Sequence, residues 1–411
     1  MPSRTRRTSA VWFIGIATAF SLLGDQTLYS TLPIFFEELG LQPFEVGIIL
    51  SANRWIRLGT NELAHLLTNV ADQRLMFVAA LALGAATTAV YASTPGFALF
   101  VTARLMWGLC WSFIRHLGLL SVMEVSAQGR AGHSAGRLGG IARVGSIGGL
   151  LGGALLVDWL GFGPALLVLA LLSVLAVPFA IIGFVPISTR PKSSAMSGQG
   201  SVVSSGLGFA HGMVGSGLVL ATLGAVLDER TTGGGWLSAT TLTGGVLALR
   251  FVLEGGAAAR LGAISDNRGV RVASAGSFAV GAVALAVATL APTVPVLIGA
   301  VVTFFVCGTA LGAGLLGFAG AQGSRALARY VTANDLGAAS GPLIGWVALG
   351  LFDQRALGLA TGAVVYGGAA VAAFAFLTSA SLDPAESEAE ATADTGADTH
   401  PGPDSAEIER S

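Results

Sequence analysis

Two apolar runs in the second half of the chain, residues 236–258 and 272–291, are each about 20 residues long, enough for a helix to cross a hydrocarbon layer of roughly 30 Å. Between them stands a short, charged, glycine-punctuated stretch, Gly262-Ala263-Ile264-Ser265-Asp266-Asn267-Arg268-Gly269-Val270-Arg271, which reads as a tight turn. Further runs of the same kind cover about residues 10–36, 45–67, 75–93, 97–122, 138–157, 164–185, 203–227, 294–319, 334–352 and 356–380. In lipid every backbone polar group must be satisfied internally, which leaves helices or closed barrels. The runs are continuous, whereas barrel strands alternate over about ten residues. The fold class is therefore an all-α membrane protein with twelve transmembrane helices. Composition agrees: 53% of residues are hydrophobic and 11% charged, against roughly a quarter charged in ordinary globular chains. The 58 glycines suit helices that approach closely in lipid.

The amino-terminal Arg4, Arg6 and Arg7 precede an apolar stretch without a small-residue cleavage pattern, so this stretch reads as the first span rather than a signal peptide. Residues 186–202, rich in Ser, Pro and Gly, read as a linker between an amino-terminal half, 1–185, and a carboxy-terminal half, 203–380. From 381 to 411 the chain is acidic and aperiodic, the pattern of a solvated, disordered tail. Basic residues fall on alternate loops. One side collects Arg4, Arg6, Arg7, Arg74, Arg130, Arg137, Arg190, Lys192, Arg260, Arg268, Arg271, Arg325 and Arg329, the other only Arg230 and Arg355. The positive-inside bias then puts both termini in the cytoplasm and the chain in the cytoplasmic membrane.

The stretch Gly262-x-x-x-Asp266-x-x-Gly269-x-Arg271 resembles the cytoplasmic loop signature of the major facilitator superfamily. A degenerate copy, Thr68-Asn69-Val70-Ala71-Asp72-Gln73-Arg74, recurs about half a chain earlier, lacking both glycines. The resemblance covers residues 10–380. It implies two pseudo-symmetric six-helix bundles working by alternating access, with Asp72, Arg74, Gly262, Asp266, Arg268, Gly269 and Arg271 in gating loops.

Ionisable residues at membrane depth are costly and each needs a reason. Asp25 lies about 22 Å along the first helix at 1.5 Å per residue, within Asp25-Gln26-Thr27-Leu28-Tyr29-Ser30-Thr31-Leu32-Pro33. That run resembles the first-helix pattern of drug-proton antiporters in the superfamily, which implies a protonation site. Arg104-Leu105-Met106-Trp107-Gly108 resembles the family's Arg-x-x-x-Gly motif, whose arginine is linked to proton coupling. The alternative for both is a structural role, Asp25 locked to an arginine and Arg104 serving helix packing. The second helix carries Asn53, Arg54, Arg57, Asn61 and Glu62. Arg54, Arg57 and Asn61 share one face, and such a polar stripe must turn to the bundle interior. Arg250, with Glu254 one turn on, stands before Asp266 much as Arg57 stands before Asp72. These residues, with Asn53 and His211, are candidates for a substrate cavity, and the arginines suit an anion held near the midplane. Buried Arg–Glu pairing within each half is the competing reading.

Gly145-Ser146-Ile147-Gly148-Gly149-Leu150-Leu151-Gly152-Gly153 resembles an antiporter motif, with Gly149 where that motif has proline, and Gly341-Pro342-Leu343-Ile344-Gly345 has the same shape in the other half. Gly148, Gly149, Gly152, Gly153, Gly341, Pro342 and Gly345 read first as helix-packing seams. Cys110 and Cys307 sit in apolar runs, with no disulfide or metal pattern, and His116 stands alone. No nucleophile–base, metal or nucleotide-binding arrangement is visible, so the chain reads as no enzyme, without cofactor or metal. The net charge of −1 gives no footprint for nucleic acid. The expected function is proton-coupled export of small organic molecules by a monomer in the bilayer, its partners a small-molecule substrate and protons. Uptake of an organic anion, or a non-transporting sensor or assembly protein on the same scaffold, are the alternatives.

Overall fold

The structure, a computed structural model, describes residues 4–94, 96–126, 131–187, 202–231 and 237–377, without the side chains of residues 4–8, 131, 264 and 266. The expected linker and tail, Arg130, Arg190 and Lys192, and the side chains of Arg4, Arg6, Arg7 and Asp266 thus lie outside what is described. In the first half the helices are α1 (Arg4–Phe35), α2 (Pro43–Leu67), α3 (Gln73–Ala92) and α4 (Phe97–Glu124), then α5 (Gly132–Leu160) and α6 (Phe162–Gly183). The second half holds α7 (Val202–Thr231), α8 (Ala239–Gly256), α9 (Val270–Leu290), α10 (Val294–Ala321), α11 (Ser324–Phe352) and α12 (Leu357–Phe376). Two of these helices contain a π-helical stretch, Gly148–Gly152 in α5 and Gly212–Val219 in α7.

Among the described residues, 10 helices are long and apolar enough to cross a membrane on composition alone. The remaining two of the twelve, α2 and α8, are the pair that carries Arg54, Arg57 and Glu62, and Arg250 and Glu254. Their charges depress local hydropathy, but both pack as members of the bundle. The chain is a multi-pass, all-helical membrane protein. Local chemistry fixes several starts. Pro43 opens α2, where the Glu45 carboxylate accepts from Gln42 N at 2.8 Å. Asp72 caps α3 by accepting from Leu75 N at 2.9 Å, and Ser238 caps α8 by accepting from Thr241 N at 3.0 Å.

One expectation is corrected. The stretch from Gly262 to Arg268 is not a turn but part of a short helix, Ala258–Arg268, joining α8 to α9. The chain bends only at its ends, at Ala257 and at Gly269, whose φ of +79° favours glycine. Gly262 serves a different purpose: a Cβ there would lie 3.1 Å from Ala313 Cβ, so its small size lets the short helix lie against α10. Two helices also start earlier than their apolar runs, α5 at Gly132 and α11 at Ser324, because the helix continues into polar sequence that still satisfies its own backbone.

Within the first half α1 packs on α5 and α6, α2 on α4, and α3 between α4 and α6; in the second, α7 packs on α11, and α9 on α10 and α12. The halves meet along two pseudo-symmetric pairs, α2 with α11 and α5 with α8, and where α1 passes α7 and α8. Glycine sets the intimacy of the seams. A Cβ on Gly149 would stand 2.5 Å from Leu23 O of α1, and Gly153 and Gly145 lie as tightly on Thr27 and Ala19. In the other half Gly341 lies on Met213 and Leu218 of α7, and Gly345 on Thr222. Pro342 is buried, its carbonyl facing Gly47 of α2. Gly148 is looser, and Gly152 has nothing within 4 Å of where its Cβ would be.

Candidate functional site

A cavity of about 550 Å³ lies between the halves. It is lined from α1 by Asp25, Gln26 and Tyr29, from α2 by Asn53, Arg54 and Arg57, from α4 by Trp107, Trp111 and Arg115, and from α5 by Arg143 and Ser146. The second half contributes Ser216 of α7, Phe251 and Glu254 of α8, and Asn334, Asp335 and Ala338 of α11. Along their helices these residues run from the middle toward the end that bears the α2–α3 turn and the short helix Ala258–Arg268.

At the opposite end the halves are joined. Arg355 pairs with Glu37 of the first half at 3.3 Å and with Asp228 of the second at 2.7 Å. Asp158 of α5 accepts from Ser238 and, at 2.5 Å, from Thr241 Oγ1 of α8. Beneath these contacts Phe36 meets the buried Trp346 edge-on, with ring centroids 5.1 Å apart. A smaller cavity of about 330 Å³, bordered by Glu37, Asp353 and Arg355, sits at this sealed end. The central cavity is thus closed toward one side of the membrane.

Asp25 and Arg104, far apart in sequence, form a buried ion pair, with Arg104 at 0% exposure and Asp25 at 4%. Arg104 also donates from Nε to Ile49 O at 3.1 Å and from Nη2 to Tyr29 Oη at 3.2 Å, tying α4 to α2 and α1. Asp25 accepts further from Asn53 Nδ2 at 3.3 Å and Gln26 Nε2 at 2.9 Å. Turning both amides toward the carboxylate leaves Asn53 Oδ1 and Gln26 Oε1 without a hydrogen-bond partner. Tyr29 lies under two guanidiniums, with Arg54 Cζ at 5.4 Å and Arg104 Cζ at 5.6 Å from its ring centroid.

Arg54 crosses between the halves. Its Nη1 donates to Ser216 O in the π-helical stretch of α7 and to Ala338 O of α11 at 2.7 Å. Arg250 reaches the same stretch from α8, donating to Gly215 O and Ser216 Oγ at 2.8 Å each while its Nε holds Glu254 Oε1 at 2.8 Å. A π-turn takes carbonyls out of the ordinary helical ladder, and arginines from both halves satisfy them here. Arg57 lines the cavity, and among the described residues neither it, Arg115 nor Arg143 forms an ion pair.

The other residues that stand out in the sequence are placed as follows. Asn61 is exposed farther along α2, outside the lining, and Arg250 stands behind Glu254 rather than on the wall. His211 is within the second half, its Nδ1 3.1 Å from Tyr366 Oη, away from the cavity wall. Asp72 caps its own helix, and Arg74 Nη2 donates to Phe184 O at the end of α6 at 3.1 Å. Arg268 is exposed, and Arg271 lies over the Phe374 ring at 4.7 Å. His116 meets His65 edge-on at 5.7 Å, and among the described residues no group of three metal-ligating side chains forms. Trp111, Arg115, Arg143, Ser216, Asn334 and Asp335 reach the wall although the sequence does not mark them as a set; a charged residue in the inner part of an apolar run is the one signal that points to Arg115 and Arg143.

No protein-family model matches the chain, and no curated protein matches its sequence. Solved structures do match. One is a bacterial homologue of the human lysosomal transporter Spinster, in an inward-facing and unoccupied conformation, with TM-score 0.73 and 10% identity over 91% of this chain and 97% of that one. The nucleoside transporter NupG matches with TM-score 0.71 and 12% identity, over 89% and 98%. The POT family transporter PepTSo matches with TM-score 0.68 and 11% identity, over 91% and 97%. The chain has the twelve-helix fold of the major facilitator transporters.

Proposed function

We propose that this protein is a secondary transporter that moves a small solute across the membrane by alternating access. The observation that carries the reading is the cavity between the halves, reaching toward one side of the membrane and sealed from the other by Arg355, Asp158 and the Phe36–Trp346 contact. An assembly scaffold has little reason to bear charges at membrane depth, where each is costly. The similar structures are those of transporters, one of them inward-facing, which supports the same reading. With both termini cytoplasmic, the open end faces the cytoplasm. The loops around Asp72 and Asp266 then act as gates that hold the opposite state.

We assign proton linkage to Asp25. Its carboxylate is buried against Arg104 and bordered by the cavity. The pair joins α1 to α4, so a small movement of α4 against α1 separates the two groups and opens the carboxylate to the cavity. Exchange of protons against solute gives export.

The test needs no known solute. Cys110 and Cys307 are replaced by alanine, and Ser216→Cys is introduced as a reporter in the cavity. Alternating access predicts that an impermeant maleimide reaches the reporter from either side of the membrane. Asp158→Cys with Ser238→Cys, oxidised to a disulfide, is expected to abolish labelling from the sealed side and preserve it from the open side. Labelling from one side only, before any cross-link, would overturn the proposal.

A further inference from the structure

Resting on that transport reading of the cavity, we propose that the solute is a small aromatic carboxylate, held by its acid on arginines and by its ring on tryptophan. The charge of the wall makes the first argument. Arg54, Arg57, Arg115 and Arg143 face the chamber. Against them stand three carboxylates, but Asp25 is engaged by Arg104 and Glu254 by Arg250, two arginines behind the wall. Among the lining residues, Asp335 alone is left to offset four guanidiniums. Arg54 is anchored on neutral carbonyls, which leave its charge uncompensated. Cations gathered in a cleft with low-dielectric walls repel each other and raise the local concentration of anions, and an entering anion relieves that repulsion. The guanidinium fork matches a planar carboxylate with two parallel hydrogen bonds.

The second argument is the face of α4. Trp107, Trp111 and Arg115 recur every fourth residue and so lie in one row. The two indoles stack, with centroids 6.1 Å apart and planes 29° from parallel. Trp107 is buried and backs Trp111, which is partly open. Arg115 follows one turn on, about 6 Å along the axis. A flat ring on Trp111 thereby carries its acidic group toward Arg115. Phe251 adds an aromatic surface from the other half. Stacked aromatic contacts contribute beyond the area they bury, so the ring adds selectivity as well as affinity. A volume of about 550 Å³ falls within the ~300–1,000 Å³ of small-molecule sites.

The test uses purified full-length protein in lipid nanodiscs and four matched probes. These are 2-naphthoate, its neutral amide, the cation 2-naphthylmethylammonium, and the saturated decalin-2-carboxylate. Calorimetry is expected to find 2-naphthoate at least tenfold tighter than each of the others. Trp111→Ala should erase its advantage over the saturated acid and keep its advantage over the amide; Trp111→Phe, which retains a ring face, should keep both. Arg57→Gln with Arg115→Gln should do the reverse of Trp111→Ala. Equal or tighter binding of the cation or the amide, or no binding of 2-naphthoate, overturns the inference. Labelling of Ser216→Cys separates it from the transport reading. Labelling from both sides with no binding of 2-naphthoate sinks the solute assignment and leaves transport; labelling from one side only with 2-naphthoate bound does the opposite.

Discussion

Asp25 and Arg104 sit where neither charge is tolerable alone. Removing one partner of a buried pair costs about 3–5 kcal/mol, because the survivor keeps its charge without its compensation. Arg104→Ala is therefore expected to lower the thermal unfolding midpoint as well as activity, since Asp25 stays behind and Ile49 O and Tyr29 lose a donor. Asp25→Asn behaves differently. The asparagine is nearly isosteric and its carbonyl oxygen still accepts from Arg104, so the site keeps that hydrogen bond though the guanidinium loses its counter-charge. A smaller drop in the unfolding midpoint than for Arg104→Ala is expected, and the ionisable group is gone. If Asp25 carries the proton, this variant moves solute in exchange but no longer drives it with a pH gradient. Solute-driven proton movement in liposomes reads this directly, and equal proton movement in both proteins would remove Asp25 from coupling. Arg104→Lys is expected to impair coupling too. An ammonium on a flexible stem cannot hold Asp25, Ile49 O and Tyr29 Oη together as the planar guanidinium does.

At the scale of elements, the two π-helical stretches share a device with different partners. In α5 the carbonyls of Gly149 and Leu150 accept from Thr27 Oγ1 at 2.8 Å and Ser30 Oγ at 3.0 Å, both on α1. In α7 the partners are Arg54 and Arg250. The first is a stitch within one half; the second joins the halves. Gly149→Val should destabilise the α1–α5 seam by about 1–3 kcal/mol, the ordinary cost of overpacking, because Leu23 O is backbone and cannot rotate away. Gly152→Ala, less than one turn further along the same motif, meets open space and is expected to unfold at the wild-type temperature. Equal melting of the two variants would deny the seam. This contrast also marks what the sequence can disclose. Continuous apolar runs make spanning helices legible, and buried charge makes Asp25, Arg104 and Arg54 legible. The glycines announce a seam without telling which of them touches it, since that depends on the azimuth of α5 against α1. The π-stretches are hidden as well, because the donors that satisfy their freed carbonyls come from helices remote in sequence. Arg115 and Arg143 are ambiguous in sequence, because a long side chain in the inner part of a helix can reach the membrane surface on its own. Only the packing of α4 and α5 turns them toward the chamber.

At the scale of the whole molecule, the sealed end decides how often the cavity changes sides. Besides the Asp158 hydrogen bonds, ion pairs and aromatic packing close it, and the magnitudes of these two rank them. The Arg355 pairs are partly exposed, with side chains open by 26% for Arg355, 67% for Glu37 and 32% for Asp228. Such pairs contribute ~0.2–1 kcal/mol. Only the Arg355–Glu37 pair joins the halves, and losing it shifts a two-state population by at most about fivefold, since about 1.4 kcal/mol is a factor of ten. Phe36 and Trp346 are buried, with Trp346 Nε1 donating to Ala221 O at 3.0 Å. Truncating a buried Phe to Ala costs ~3–5 kcal/mol, and only the share of that packing which breaks when the end opens acts on the equilibrium. Even half of it, about 1.5–2.5 kcal/mol, exceeds the ionic share. Phe36→Ala is therefore expected to speed labelling of Ser216→Cys from the sealed side more than Arg355→Gln does. The effect of Arg355→Gln should stay within about fivefold and shrink as salt is added, because exposed pairs are screened. The effect of Phe36→Ala should be indifferent to salt. A larger effect from Arg355→Gln, or salt dependence in Phe36→Ala, would mean that charge rather than aromatic packing keeps this end shut.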